Sequence, residues 1–213
     1  MTGAIRNQAL PLARHFKRSP HTFCTYMKLG DITQPIVQLL DDAHSAEQLL
    51  LEHDEPFYRR SYIRSTMAAA EAVVWFLKQV CLRAAKERGR GLSIGEIALL
   101  SDRTFELKSN GRIRSHPKYL KLPDNIRFTI STCNRMFATE ADVGAGGMGW
   151  NSFLAAIEIR NRLAHPKQAA DLNVSDEELE TCKSSSAWFN QLIASFVTAL
   201  VHRNTNDSKD GGA

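Results

Sequence analysis

The chain has 213 residues, of which 43% are hydrophobic and 23% are charged, and its formal net charge is +4 at pH 7. This length predicts one domain with ample chain for a hydrophobic core, and the proportions are typical of a soluble globular protein. The mildly basic charge is compatible with a polyanionic partner but does not demonstrate one.

Cysteine spacing and apolar runs argue against several classes of protein. No C-x-x-C pair occurs, so neither a zinc ribbon nor a disulfide framework is indicated, and we expect no metal and no cofactor. The four cysteines are Cys24, Cys81, Cys133 and Cys182. Glu71 and Lys78 interrupt the longest apolar stretch, residues 67–82, which argues against a membrane span. The N-terminus lacks the apolar core of a signal peptide, so we expect a cytoplasmic protein.

Residues 1–30 are interpreted as a basic N-terminal extension. They contain no acidic residue, and Pro11, Pro20 and Gly30 interrupt any long helix. Their basic residues are Arg6, Arg14, Lys17, Arg18 and Lys28. One interpretation is a partly ordered, solvated charge run. The other is an arm that contacts the RNA backbone or a partner protein.

Helical spacing of apolar residues predicts a first helix over residues 31–51 and a second, longer helix over residues 57–88. Pro56 is expected near the start of the second helix, because proline suits the first turn. The middle of this helix is apolar nearly all round, so we expect it to run through the core. Glu71 is then expected to be a buried or half-buried carboxylate that needs a partner.

The next segment is rich in turns and basic residues. Ser93 and Glu96 form a capping-box pattern, which predicts a short helix from Ile94 to about Leu100. Residues 103–122 then contain a single acid and the basic residues Arg103, Lys108, Arg112, Arg114, Lys118 and Lys121. This segment is either a solvated loop or an RNA-contacting one. No stretch of the chain alternates convincingly with period two, so we predict no strand.

Three more helices are predicted in the second half of the chain. The first covers residues 124–137, the second is stopped by Pro166, and the last is opened by residues 174–178 and runs to about residue 203. Asn151 or Ser152 is expected to cap the second of these helices.

The segments around these helices are predicted to be irregular. The glycine-rich residues 144–149 are interpreted as a flexible connection, because no strand precedes them and no Gly-Lys-Ser/Thr follows. Residues 204–213 are expected to form a disordered tail. The predicted fold class is all-α, an antiparallel bundle of about five to six helices over residues 31–203.

The helix that ends at Pro166 carries three polar side chains of chemical interest: Arg160, Asn161 and His165. Asn161 and His165 are four residues apart and share a helix face, and Arg160 lies about 100° round the axis from Asn161. Because a residue before proline is pushed out of the α region, we expect the helix to end at His165. A guanidinium beside an imidazole suits a phosphodiester substrate.

A purely structural interpretation of these residues is also open. Arg160 would then pair with Glu71 or Glu158, and His165 would cap the last carbonyl groups of its helix. Neither contact would require a ligand.

The pattern Arg160-Asn161-x-x-x-His165, at the end of an amphipathic helix, resembles the hallmark motif of the HEPN superfamily (higher eukaryotes and prokaryotes nucleotide-binding). The long helix with Arg60, Arg64 and Glu71 ahead of an apolar run also resembles the second helix of the family's defence-associated branches. The resemblance covers about residues 31–203. Pro166 and Lys167 follow the histidine here, so the resemblance does not extend to the branch whose nearby tyrosine is modified by a nucleotidyltransferase antitoxin.

The resemblance implies a metal-independent endoribonuclease, a toxin or phage-defence effector that acts on RNA as a homodimer with a composite active site. It also implies a possible antitoxin or defence-system partner protein. Arg160 and His165 would be catalytic, Asn161 would orient them, and Glu71 and Arg64 would support the site. Weaker candidates for RNA contact are Arg162, Lys167, Arg112, Arg114 and Lys118. The alternative is a non-catalytic HEPN bundle that binds RNA, a nucleotide or a partner protein.

The residues are chemically consistent with this expectation. RNA carries its own nucleophile, the 2′-hydroxyl, so cleavage requires positioning, proton transfer and charge stabilisation. His165 can take the 2′-hydroxyl proton or protonate the leaving 5′-oxygen. Arg160 can hold the phosphate through two hydrogen bonds and stabilise the charge of the transition state. The expected product is a 2′,3′-cyclic phosphate.

Overall fold

The computed structural model describes residues 30–89 and 91–210, and most of the basic extension predicted at residues 1–30 lies outside them. Six α-helices and one β-hairpin form the described part, which confirms the predicted helical fold class and adds a small sheet. The helices are α1 (Gly30–Glu52), α2 (Pro56–Arg88), α3 (Ile94–Leu100), α4 (Leu122–Phe137), α5 (Met148–Ala164) and α6 (Asp176–Asp210). The strands are β1 (Arg103–Leu107) and β2 (Ile113–Pro117), and a 3₁₀ turn covers Ala169–Leu172.

Helix starts follow local capping chemistry, with one correction to the prediction. At α3 the predicted capping box is present: the Glu96 N–H donates to Ser93 Oγ at 3.2 Å, and the Ser93 N–H donates to Glu96 Oε2 at 2.7 Å. Helix α5 begins at Met148 with Gly147 as its N-cap, ahead of the Asn151 or Ser152 that we expected. Gly147 has extended backbone angles (φ −72°, ψ 165°), so it can start the helix without a side-chain cap.

The last helix is longer than predicted. Helix α6 runs to Asp210, seven residues past the expected end at Arg203, so residues 204–210 are helical rather than a disordered tail. No proline or glycine occurs between Arg203 and Asp210, and the first strong helix-breaking signal is Gly211. Residues 211–213 lie outside the described part.

The basic segment of residues 103–122 contains a hairpin that we did not predict. Strands β1 and β2 pair antiparallel, with Leu107 opposite Ile113 and Arg103 opposite Pro117. The turn between them is closed by a hydrogen bond from the Gly111 N–H to the Lys108 carbonyl at 2.9 Å, and Gly111 has a φ of +75°. Glycine adopts this left-handed conformation without the steric cost of a side chain, so it favours the turn.

The chain divides into two compact units, and helix α2 contributes to both. Of the described residues, the first unit contains those up to Ala72 and those from Ala141 onward, and the second contains those between Val73 and Glu140.

In the first unit, helices α5 and α6 pack against each other through aromatic side chains. Trp150 and Phe153 on α5 contact Trp188 on α6, with ring centroids 5.7 Å and 5.2 Å apart. Phe189 stacks on Phe153 at 5.8 Å. Trp150, Phe153 and Leu163 of α5 are all buried. This contact fixes the helix whose last turn carries Arg160.

In the second unit, the core includes a charged side chain. Lys78 on α2 is fully buried, and its ammonium group donates to Asp102 Oδ1 at 2.5 Å. Asp102 precedes β1 and has a φ of +52°, a backbone conformation that residues other than glycine rarely adopt. Cys81, on the same helix, lies against Cys133 of α4, and the two buried sulfurs are 3.3 Å apart. A buried ammonium needs an ionic partner, so this ion pair fixes the start of the hairpin.

Candidate functional site

Helix α5 ends where the sequence predicts. Ala164 is its last residue and His165 is its C-cap, with φ −129° and ψ 58°. The His165 N–H still donates to the Asn161 carbonyl at 3.0 Å. Pro166 has no N–H to continue the helix, and it pushes the residue before it out of the α region. The motif therefore lies at the junction between a rigid helix and the segment that follows.

Asn161 and His165 present their side chains to solvent. Within the described part of the chain, neither the carboxamide nor the imidazole has a hydrogen-bond partner. The structural interpretation of His165 as a side-chain cap therefore has no contact to support it. Both groups are free to meet a ligand.

Arg160 forms an ion pair with Glu71 of helix α2. This pair is one of the contacts that the structural interpretation expected, and it confirms that Glu71 needs a partner. The sequence predicted a buried or half-buried carboxylate, and the Glu71 side chain is 46% exposed, which fits only the half-buried alternative. Trp75, one helical turn further on, is also exposed, so one side of α2 is not covered at this level. The Arg160 side chain is 26% exposed and remains accessible to solvent.

Two arginines of α2, Arg60 and Arg64, donate hydrogen bonds to backbone carbonyl groups near the motif. Arg64 Nη2 donates to the Leu163 carbonyl at 2.7 Å, which satisfies one of the carbonyl groups that a helix end leaves free. Arg60 Nη1 donates to the Leu172 carbonyl at 3.3 Å. Arg64 therefore supports the end of α5 through its backbone, and we named it as a supporting residue from the sequence.

The segment after the motif is held by Asp171. Its Oδ2 atom accepts hydrogen bonds from the N–H groups of Lys167 at 2.8 Å and Gln168 at 3.2 Å. The bond from the Lys167 N–H is the main reason that the pKa of the Asp171 carboxyl lies below its ordinary value. The Lys167 side chain is exposed.

Arg162 is engaged within the protein. Its Nη1 donates to the carbonyl groups of Asp171 at 2.7 Å and Asn173 at 2.9 Å, and its Nη2 donates to Glu178 at 2.6 Å. These contacts join α5 to the start of α6. We named Arg162 as a weak candidate for RNA contact, and its donors instead hold the segment that follows His165.

Lys167 lies in the first unit with the motif, whereas the three remaining weak candidates lie in the second unit. Arg112, Arg114 and Lys118 belong to the hairpin and the residue after it, and all three are exposed.

Arg59 is a residue of this region that we did not single out from the sequence. It bridges Asp54, at 2.7 Å from its Nη2, and Asp176, at 2.7 Å from its Nη1. Hydrogen bonding to Asp54 is the main cause that raises the pKa of the guanidinium above its ordinary value. Asp176 is 117 residues away in the chain, so no local pattern could have indicated this contact.

Comparisons with family models, curated proteins and solved structures found no match to this chain. Among residues 30–89 and 91–210, no group of three or more His, Cys, Asp or Glu side chains is arranged to hold a metal ion. None of the described helices is both long and apolar enough to cross a membrane.

Proposed function

We propose that this chain is a metal-independent endoribonuclease of the HEPN type, a toxin or phage-defence effector that cleaves RNA to a 2′,3′-cyclic phosphate. The observation that carries the proposal is the exposure of Asn161 and His165 next to Arg160 at the end of α5, where neither side chain has a partner among residues 30–89 and 91–210. Polar groups of these three types serve the cleavage of a phosphodiester.

In the proposed reaction the 2′-hydroxyl of the substrate attacks the adjacent phosphorus, and the 5′-oxygen leaves. His165 accepts the 2′-hydroxyl proton or protonates the leaving oxygen. Arg160 binds the non-bridging phosphate oxygens and stabilises the negative charge that develops on them. Asn161 hydrogen-bonds the imidazole or a phosphate oxygen and holds it in place.

Glu71 and Arg64 act as positioning residues in this proposal. The carboxylate of Glu71 holds the Arg160 guanidinium. Other donors of that guanidinium remain for phosphate, because it carries five N–H groups in all. Arg64 fixes the last turn of α5 through the Leu163 carbonyl.

The proposed working form is a homodimer with a composite site. One copy of the chain supplies one His165, whereas the reaction needs one group to accept a proton and another to donate one. Two copies of the motif that meet across a shared cleft would supply both. An antitoxin or defence-system protein is the partner proposed to control this activity.

The Arg160–Glu71 ion pair favours a second candidate, a non-catalytic bundle that binds RNA, a nucleotide or a partner protein. In that case Glu71 neutralises the guanidinium permanently, and Arg160 only joins α5 to α2. The wild type would then bind RNA in a salt-sensitive way without cutting it.

The test is cleavage of a long RNA in EDTA by four purified proteins: wild type, His165→Ala, Arg160→Ala and His53→Ala. His53 is the matched control, because it is also exposed in the first unit but stacks on Tyr58. We expect wild type and His53→Ala to cut, and the two motif variants to lose at least about a hundredfold in rate. Equal cleavage by wild type and His165→Ala removes the catalytic assignment, and RNA binding without cleavage by wild type supports the second candidate.

A further inference from the structure

One face of the β-hairpin is apolar and exposed. The strand register puts Phe105, Leu107 and Ile113 on the same face, together with Arg103, Ser115 and Pro117. The three apolar side chains are 56%, 73% and 73% exposed, in that order. Contiguous exposed apolar side chains of this kind mark surfaces that bind another molecule.

Strand β1 has a free edge beside this apolar face. The sheet contains two strands in the described part of the chain. The Lys108 N–H donates to the Arg112 carbonyl at 2.9 Å, and the Lys118 N–H donates to the Asp102 carbonyl at 2.8 Å. Antiparallel pairing alternates, so the backbone groups of residues 103, 105 and 107 point away from β2. The outer edge of β2 is less open, because Pro117 has no N–H.

The charges around the hairpin are mostly positive and favour an acidic partner. Glu106, the acid of the hairpin, already pairs with Lys108 and with His116 on the opposite face. Arg103 and Arg114, by contrast, have no acidic partner in the described part, and the same is true of Arg112 and Lys118. These positive charges lie around the apolar side chains of Phe105, Leu107 and Ile113, next to a strand edge with free backbone hydrogen-bonding groups.

Two segments of this same chain are unsuitable occupants. The first thirty residues contain five Lys or Arg and no acid, so they would be repelled. A second copy of the hairpin would present the same unpaired arginines.

RNA is also less suited to this face than a protein strand. Bases stack on aromatic rings that lie beside cations. On this face Arg103 does lie beside Phe105, but Phe105 is the one aromatic side chain that the paired residues 103–107 and 113–117 place there, and its other neighbours, Leu107 and Ile113, are aliphatic. Successive bases would therefore find a single ring to stack on.

We propose that the free edge of β1 binds an extended segment of another protein, in which apolar residues alternate with acidic ones. The segment pairs with the outward backbone groups of residues 103–107 as a third strand. Its apolar side chains cover Phe105, Leu107 and Ile113, and its carboxylates lie on the other face of the hairpin, which contains Arg114. This inference does not depend on the proposed nuclease activity.

The test uses the full chain and a labelled nine-residue peptide that alternates glutamate with valine, followed by fluorescence anisotropy. A peptide of the same composition, with its glutamates and valines in two separate blocks, is the control ligand. The variants are Leu107→Ser, Ile113→Ser and Leu107→Pro, which removes an outward N–H. The control variant is Ile94→Ser, because Ile94 is 85% exposed outside the hairpin.

We expect the alternating peptide to bind more tightly than the block peptide, and each hairpin variant to weaken binding about tenfold, as for the loss of one buried aliphatic side chain. Ile94→Ser should bind like wild type, and Leu107→Ser should keep any RNA cleavage. Three results would overturn the proposal: no binding of the alternating peptide, equal binding of the two peptides, or unchanged binding by the hairpin variants. A single-stranded RNA that displaces the peptide and loses affinity in the same variants would reassign the face to nucleic acid.

Discussion

In the proposed site the Arg160 guanidinium binds two groups. Glu71 already holds part of it, and its remaining donors bind the phosphate. A half-exposed ion pair contributes little to folding, typically below about 1 kcal/mol. In the proposed site the ion pair holds the guanidinium towards the phosphate, and catalysis is sensitive to small errors in that position.

We therefore predict that Glu71→Ala lowers the rate of RNA cleavage about tenfold while the melting temperature stays close to that of wild type. Glu71→Gln keeps an oxygen that can accept from Arg160, so it should recover part of the rate. The measurement is initial cleavage rate together with thermal unfolding for the three proteins. Equal rates for all three would show that the ion pair has no positioning role.

Asp171 gives a pH-dependent prediction for the segment that follows His165. Its folded-state pKa lies below the ordinary value of 3.8, so its stabilising effect is complete above that value and is lost as the pH falls through the lower, folded pKa. We expect the amide protons of Lys167 and Gln168 to keep their hydrogen-bonded chemical shifts down to pH 3.8 and to lose them below it.

The measurement is an NMR pH titration of these two amides, with Asp171→Ala as the variant that lacks the acceptor. A common midpoint above pH 3.8 would contradict the assignment of the low pKa to these hydrogen bonds. So would a wild-type titration that matches the variant.

At the scale of the elements, the proposed site depends on how α5 packs against α6. Gly149 lies against the Trp188 side chain, and a Cβ at that position would be 2.9 Å from Trp188 Cβ and closer still to the indole ring. Gly95 of α3 is the matched case, because a Cβ there would meet nothing within 4 Å.

We predict that Gly149→Ala destabilises the protein by about 1–3 kcal/mol through overpacking. Gly95→Ala should instead leave stability unchanged or raise it by about 0.5 kcal/mol, because alanine loses less backbone entropy on folding. Urea unfolding of the two variants and wild type measures both effects. Equal midpoints for Gly149→Ala and wild type would show that α5 can shift away from α6 at little cost.

The sequence predicted the helices well because their signals are local. The capping box at Ser93, the proline at the start of α2 and the end of α5 before Pro166 each depend on neighbouring residues. The hairpin was missed although Thr104 to Leu107 alternates polar and apolar residues and Asn110-Gly111 is a strong turn signal. The strand has five residues, and side chains on both of its faces are exposed. Its alternation of polar and apolar residues is therefore too short and too weak to distinguish it from a loop.

Apart from the Arg160–Glu71 pair, which was one of two alternatives, the contacts between distant parts of the chain could not be predicted from the sequence. The burial of Lys78 and its pairing with Asp102 depend on how α2 meets the start of the hairpin. The exposure of Glu71 depends on which side of α2 remains uncovered, and an apolar sequence all round the helix gives no indication of that side. The division of the chain after Ala72 has no proline, glycine or charge run to mark it.

At the scale of the whole molecule, the proposed cleavage through the 2′-hydroxyl determines the chemistry of the RNA ends that the protein leaves. The most direct measurement treats a long RNA, and the same RNA with 2′-O-methyl groups, with wild type and His165→Ala in EDTA, and then identifies the new termini. We expect wild type to leave 2′,3′-cyclic phosphate and 5′-hydroxyl ends and not to cut the methylated RNA. We expect His165→Ala to cut neither RNA. Cleavage of the methylated RNA, or fragments with 3′-hydroxyl and 5′-phosphate ends, would contradict the proposed cleavage through the 2′-hydroxyl.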